Sequence, residues 1–108
     1  MSKKPIYDQS WRLLGYNDEK EDGSGTVYDS MFSVRGYVQP SYGNSSSVTD
    51  ALFGYRGSIQ QSFNGTLVGY DANFQVVGYY DPQTDCTYDA TYQFVGHGNL
   101  LPWLISRG

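Results

Sequence analysis

Residues 66–81, TLVGYDANFQVVGYYD, decide the fold class of this chain. Apolar side chains alternate along the stretch, so that one face of an extended strand carries Val68, Tyr70, Ala72, Phe74, Val76 and Tyr80. The polar residues Asp71, Asn73 and Gln75 fall on the opposite face. A pleated strand produces this period of two, whereas no helical phase gathers the apolar residues on one side. The same alternation recurs along the chain and predicts an all-β protein.

The alternation and the turn-forming residues predict about six strands. We place them near residues 6–16, 26–39, 48–61, 66–81, 87–96 and 100–105. Because Pro102 cannot donate to a ladder, the last is predicted to be an edge strand, a closing strand with a bulge, or a short docked tail. Asn64-Gly65, between the third and fourth strands, predicts a hairpin with a type I′ turn. Gly78 within the fourth strand indicates a bulge or a bend.

Long strands with internal glycines favour an antiparallel meander that closes into a small barrel, because closure removes exposed edges. A two-sheet sandwich is the alternative. Gly-Tyr and Tyr-Gly pairs recur, but their irregular spacing predicts neither a solenoid nor a propeller. The chain of 108 residues is predicted to form one domain, residues 1–108.

Composition narrows the classes of partner. The formal net charge of −4 and the scattered Lys and Arg residues disfavour nucleic acid and anionic membranes. Cys86 is the only cysteine, so no intramolecular disulfide is predicted. No segment has the pattern of a signal peptide or a membrane span, which leads us to expect a cytoplasmic location.

The sequence carries no signature of catalysis, a metal site or a cofactor. Asp18, Asp22 and Asp29 superficially follow the spacing of a calcium loop, but Lys20 stands where an oxygen ligand is needed. A solvated turn is the favoured interpretation. His97, the only histidine, is interpreted as a turn residue, because no spacing around it supports a metal site or a triad. No catalytic residue, metal ligand or cofactor is therefore predicted.

The tyrosines, 11 in all, carry the best functional hint. Surfaces rich in Tyr, Ser, Gly and Asn make adaptable binding faces. Tyr37, Tyr42 and Asn44, followed by the serines at 45 to 47, form such a cluster and are predicted to contact a ligand. Tyr79-Tyr80 forms a second one. Packing of the same rings in a small aromatic core is an equally weighted alternative.

Asp71 is a further candidate. On an open sheet its face would meet solvent, whereas in a closed barrel it could line the lumen. There it would lie beside Gly69 as an acceptor that orients a ligand.

Two segments resemble the avidin/streptavidin family of eight-stranded, ligand-binding barrels. TLVGYD at 66–71 is similar to the last strand of that family, and LPWLI at 101–105 is similar to its Trp-Leu-Leu strand. Tyr37 followed by Gly43-Asn44 resembles the flexible loop that covers the ligand. The two strand-like segments occur here in the reverse of the family's order.

The resemblance implies that Asp71 bonds a ureido nitrogen of biotin and that Trp103 belongs to a tryptophan box around the ligand. Trp11 is the only other tryptophan of the chain.

Taken together, the residues predict a non-enzymatic small β-barrel that binds a small molecule, a sugar or a protein. Its predicted ligand-binding residues are Tyr37, Tyr42, Asn44, Asp71 and Trp103. The sequence leaves open whether the protein forms a homo-oligomer. One alternative is an acidic interaction or inhibitor protein, of a kind that viruses encode, which docks on a basic partner. The least favoured alternative is a small barrel enzyme that uses His97 with an Asp or Tyr as acid and base.

Overall fold

The computed structural model describes residues 2–107 and shows one closed antiparallel barrel of ten strands with a single helix. The strands are β1 (Ser2–Asp8), β2 (Leu13–Glu19), β3 (Gly25–Asp29), β4 (Val34–Pro40), β5 (Ser45–Asp50), β6 (Tyr55–Gln61), β7 (Leu67–Asp71), β8 (Val76–Asp81), β9 (Cys86–Asp89) and β10 (Phe94–His97); the helix is α1 (Leu101–Arg107). Each strand pairs with its neighbours in the chain, and β1 pairs with β10 to close the barrel. The prediction of an all-β closed barrel is confirmed. Within residues 2–107, no helix is long and apolar enough to cross a membrane.

Each of the first five predicted strands is a hairpin of two shorter strands. The predicted strand 66–81 divides into β7 and β8, which are joined by a turn that begins at Asp71. Asp71 Oδ1 accepts the N–H groups of Asn73 and Gln75, both at 2.9 Å. Phe74 takes the left-handed conformation of the turn, with φ of 62°. The prediction of one long strand is wrong because an aspartate and an aromatic residue make this turn, in place of the usual Gly or Pro.

The same turn closes all five hairpins. Each of its aspartates accepts, through Oδ1, the backbone N–H groups two and four residues later at 2.8–2.9 Å; they are Asp8, Asp29, Asp50, Asp71 and Asp89. Each left-handed residue is aromatic, with φ of 62–67°; they are Trp11, Phe32, Phe53, Phe74 and Tyr92. The aspartates follow one another at almost equal intervals, so the barrel is a fivefold hairpin repeat.

The Gly-Tyr pairs concealed this repeat because only some of them belong to it. Gly15-Tyr16, Gly36-Tyr37 and Gly78-Tyr79 occupy equivalent places on the second strand of their hairpins. Gly54-Tyr55 and Gly69-Tyr70 occupy other places, so that counting all pairs together makes the spacing irregular.

A register shift marks the second strand of every hairpin. In β8 it falls between Val76 and Gly78, next to the bulge predicted at Gly78.

The hairpin predicted at Asn64-Gly65 joins β6 to β7, but its turn is not type I′. Ser62 N donates to Thr66 O at 2.9 Å, and Gly65 N donates to Ser62 O at 3.1 Å. Gly65 has φ of 92°, while Asn64 is not in the positive-φ region. The Asn64 side chain instead accepts the Thr66 N–H at 3.0 Å, which stabilises the ordinary turn conformation at Asn64. The turn-type prediction is therefore wrong.

The segment predicted as a sixth strand at 100–105 is helical. Asn99 Oδ1 accepts the Leu101 N–H at 3.1 Å at the start of α1. Pro102 stands in the first turn, where a missing N–H breaks no helical hydrogen bond. A closing strand is not needed there because β1 and β10 already pair.

Helix α1 fills the lumen of the barrel. Leu101 and Ile105 are buried and pack with Val48 and Ile59 in one core cluster. A helix that is apolar on most sides is suited to burial inside a protein. The inner face of the barrel can admit it because small residues stand where it approaches: a Cβ on Gly57 would lie 2.8 Å from Ile105 Cγ2.

Candidate functional site

The barrel has two chemically different ends. The aspartate end carries the five repeated turns. The loop end carries the connections β2–β3, β4–β5, β6–β7 and β8–β9, together with the segment that leads into α1.

A cavity of about 320 Å³ opens at the loop end, which we call the loop-end cavity. Its apolar wall includes Val27, Val38, Ile59 and Leu67. An adjoining cavity of about 520 Å³ shares four lining residues with it, namely Asn17, Glu19, Leu67 and Asn99. Concave sites of this size, apolar with a few polar groups, are typical of small-ligand sites.

Asn17 supplies the polar group where the two cavities meet. It pairs with Val27 across β2 and β3, and so shares the inner face of the barrel with that residue. Asn17 is 7% exposed, and its Nδ2 donates to Asn99 O at 2.7 Å. Its Oδ1 is buried and has no hydrogen-bond partner among the described residues. Leaving such an acceptor unsatisfied costs about 1–3 kcal/mol, which a donor from a ligand would recover.

Carboxylates dominate the charge around the loop end. Glu19 lines both cavities and is mostly exposed, with Lys4 Nζ 4.0 Å from its Oε1. Tyr80 donates its hydroxyl to Asp85 Oδ1 at 2.6 Å. Burial raises the pKa of Tyr80, and the hydrogen bond to Asp85 and the charges of Asp85, Glu19 and Asp81 raise it further. The phenol is therefore neutral at pH 7 and experiences a negative potential.

The aspartate end holds a different cavity, of about 480 Å³, which is lined in part by Arg56, Asp71 and Leu104. Its charged groups already have partners within the chain. Arg56 Nε lies 3.2 Å from Asp50 Oδ2, and Asp71 Oδ1 is held by its own turn. The N–H of Gly54 holds the pKa of Asp50 below its usual value. These carboxylates therefore act as turn acceptors.

We expect Asp71→Ala to lower the free energy of unfolding by about 1 kcal/mol, as the loss of a comparable helix-capping side chain does. Asp71→Asn keeps an oxygen at the same place and should change stability by less than about 0.5 kcal/mol. Urea denaturation of both variants and the wild type gives the comparison. Equal losses in the two variants would show that the negative charge, and not the capping oxygen, is what the fold needs.

The structure distributes the sequence-predicted site residues over different parts of the barrel. Tyr37 lies on β4 with its ring stacked on Phe53, at a centroid distance of 4.5 Å. Tyr42 is 99% exposed on the β4–β5 loop, and Asn44 on the same loop lines the loop-end cavity. Trp103 lies on α1, with the Arg35 guanidinium 4.7 Å from its ring.

Asp71 lies at the aspartate end, because β7 runs from the loop end toward it. It lines the cavity at the aspartate end and not the cavity that Asn44 lines. Tyr42 and Asn44 thus share a loop, while Asp71 is at the opposite end of the molecule.

Sequence reasoning missed Asn17, Glu19 and Asn99. The first predicted strand ended at residue 16, whereas β2 continues through Glu19. The signal in the sequence that could have extended β2 was the complementary charge of β1. Lys3 lies opposite Asp18 and forms an ion pair with it, and Lys4 lies opposite Asn17 and forms an ion pair with Glu19. The partner of Asn17, a carbonyl 82 residues away in the chain, leaves no mark in the local sequence.

The aspartate end also carries an aromatic rim, which consists of the five left-handed turn residues Trp11, Phe32, Phe53, Phe74 and Tyr92. Four of them stack on a residue of the preceding hairpin at centroid distances of 3.5–4.5 Å; the pairs are Trp11–His97, Phe32–Tyr16, Phe53–Tyr37 and Tyr92–Tyr79. For Phe74, the position of the stacking partner on the preceding hairpin is occupied by Ser58, which has no ring. The rings of Tyr16, Tyr37 and Tyr79 are thus half-buried and stack on exposed rings of this rim, and they are not part of the buried core cluster.

His97 ends β10 and is not a turn residue, so that interpretation is wrong. Its ring occupies the place that tyrosine holds in three of the other four hairpins and packs between Trp11 and Phe94. Among residues 2–107, no group of three or more His, Cys, Asp or Glu side chains is arranged to hold a metal ion.

The chain was compared with known proteins, and no family model, curated protein or solved structure matches it.

Proposed function

We propose that this protein is a binding protein that takes a small ligand into the loop-end cavity. The observation that carries the proposal is the buried Asn17 Oδ1, which lacks a partner among the described residues at the wall of an open, largely apolar cavity. Native proteins rarely leave such an acceptor unpaired unless water or a ligand satisfies it.

The surrounding structure suits this role. Most of the cavity wall comes from strands of the closed barrel and from Pro102 of the buried helix, so that the fold holds much of its shape, and loop residues such as Ser24 complete it. Asn44 stands at the cavity on the β4–β5 loop, which can vary without loss of core packing. The resemblance to the avidin family would instead direct a ureido ligand to Asp71. We favour the loop end, because Asp71 Oδ1 already accepts two hydrogen bonds from its own turn.

Titrations followed by ¹⁵N–¹H NMR test the site with four probes: n-butylammonium, 1-butanol, butyrate and glucose. We expect at least one probe to shift the Asn17 side-chain amide and the backbone amides around the cavity. Ser46→Trp should abolish these shifts, because Ser46 lines the cavity and an indole there fills it. Ser47→Trp is the matched control, since its side chain points to the other face of β5. The site would be refuted if the shifts persisted in Ser46→Trp. It would also be refuted if none of the four probes shifted these amides in the wild type.

A second candidate function is self-association through the aspartate end. Large apolar side chains are exposed there, including Met31 at 82%, Leu52 at 91% and Phe74 at 68%. Extended exposed apolar patches mark interaction surfaces in soluble proteins.

Sedimentation velocity tests self-association. We expect the wild type to show a concentration-dependent dimer or higher oligomer, and the double variant Met31→Ser with Leu52→Ser to sediment as a monomer. The matched control is a double variant at the loop end, Tyr42→Ser with Phe63→Ser. It removes two side chains that are at least as exposed as Met31 and Leu52, and it should leave the oligomer intact. A monomeric wild type at high concentration would exclude this function.

A further inference from the structure

We infer that the loop-end cavity recognises the head group of a primary alkylammonium compound, an inference that rests on the proposed function and specifies its ligand. Three features of the cavity support this inference. They are the unpaired acceptor of Asn17, two hydroxyl donors that are already engaged, and an excess of carboxylates.

The first reason is the polarity of the unsatisfied group. Asn17 Nδ2 is committed to Asn99 O, so the side chain presents its Oδ1, an acceptor, for which a ligand must supply a donor. An ionised carboxylate ligand has only acceptors to offer and would leave Asn17 Oδ1 unpaired. An ammonium group has three N–H donors in a compact head.

The second reason is that two hydroxyl donors at the cavity, those of Ser24 and Ser45, are used within the chain. Ser24 Oγ donates to Asp22 Oδ1 at 2.6 Å, and Ser45 Oγ donates to Tyr42 O at 2.8 Å. These hydroxyls line the cavity but have partners already. To bind an acceptor of a ligand, either hydroxyl would have to leave its present partner.

The third reason is charge. Glu19 and Asp85 line the adjoining cavity together with Lys4, and Glu19 also lines the loop-end cavity itself. The Lys4–Glu19 pair is exposed and 4.0 Å long, so it adds little stability and a bound cation can share Glu19 with it. An ammonium group placed between Asn17 Oδ1 and Glu19 gains both a hydrogen bond and a favourable potential. Its alkyl chain would then lie along Val27, Val38 and Ile59.

The decisive experiment compares three probes of equal chain length, n-butylammonium, 1-butanol and butyrate, by NMR titration of the Asn17 side-chain amide at low salt. We expect n-butylammonium to bind about tenfold or more tightly than 1-butanol, the ratio typical of a hydrogen bond to a charged group. Butyrate should bind most weakly. Raising the salt concentration should narrow the difference between n-butylammonium and 1-butanol.

Two variants and one control test which residues cause the preference for n-butylammonium. Glu19→Gln should weaken n-butylammonium binding by about threefold to tenfold and leave 1-butanol binding unchanged. Glu21→Gln is the matched control, because it removes one negative charge from the exposed β2–β3 loop without being part of the cavity wall. Asn17→Leu should abolish binding of n-butylammonium; if this variant does not fold, the Glu19→Gln comparison still decides.

The outcomes separate the two levels of the proposal. If 1-butanol or butyrate binds at the cavity as tightly as n-butylammonium, the ammonium inference is overturned and the binding site stands. Equal losses in Glu19→Gln and Glu21→Gln would also overturn the inference, because the effect would then be one of net charge. If no probe shifts Asn17 in the folded protein, the proposed binding function fails and the inference falls with it.

Discussion

We expect Gly57→Ala to destabilise the barrel by about 3 kcal/mol, at the upper end of what an extra methyl group costs in a packed interior. A Cβ at Gly57 would lie 2.0 Å from the carbonyl oxygen of Tyr70 on the neighbouring strand and 2.8 Å from Ile105 Cγ2 on the helix. The first obstacle is backbone, so relief requires β6 and β7 to separate. In a domain of this size the melting temperature should fall by more than about 10 °C, which circular dichroism measures directly.

Gly65→Ala is the control for this variant. Gly65 has φ of 92°, but a Cβ there would meet no atom within 4 Å. The substitution thus carries only backbone strain, which costs about 1 kcal/mol. If Gly57→Ala were no more destabilising than Gly65→Ala, the close approach of β6 to β7 would not be a feature of the protein in solution.

The second large effect is expected at the helix. Leu101→Ala should cost about 3 kcal/mol or more, because Leu101 is 0% exposed and the rigid barrel wall cannot collapse into the space that it leaves. The free energy of unfolding from urea denaturation gives the value. Leu52→Ala removes the same atoms from a side chain that is 91% exposed, and it should change stability by less than about 0.5 kcal/mol.

An unchanged stability in Leu101→Ala would contradict the role of α1 as the filling of the lumen. The far-UV spectrum of the variant gives a further readout, because a barrel that has merely lost packing keeps its β signal. Loss of that signal would show that the strands need the helix in order to close.

Much of the architecture could be predicted from residues 66–81 and their equivalents. Alternation identified the stretches that form strands, and the barrel was predicted from the length of those stretches and their internal glycines. The turns inside the predicted strands were missed, because Asp71 and Phe74 continue the period of two through a turn that Asp71 caps with its own side chain. A comparison of the five aspartates, instead of the Gly-Tyr pairs, would have revealed both the repeat and the ten strands.

The candidate site was predictable only in part. Asn44 was identified from loop composition and does line the loop-end cavity. Asn17 was not, since its significance depends on Asn99, and a contact between residues so far apart in the chain cannot be inferred from local pattern. Tyr37 was selected as a ligand contact, yet its ring stacks on Phe53 of the next hairpin.

The sequence by itself determined the period of the strands and the capped turns, because each depends on residues within a few positions of one another. Only the tertiary structure decided that residues 101–107 form a helix inside a barrel and not an eleventh strand. An apolar run of this length suits a buried strand or a buried helix equally. The pairing of β1 with β10 left no edge for a strand to join, while the ring of ten strands left a lumen that needed to be filled.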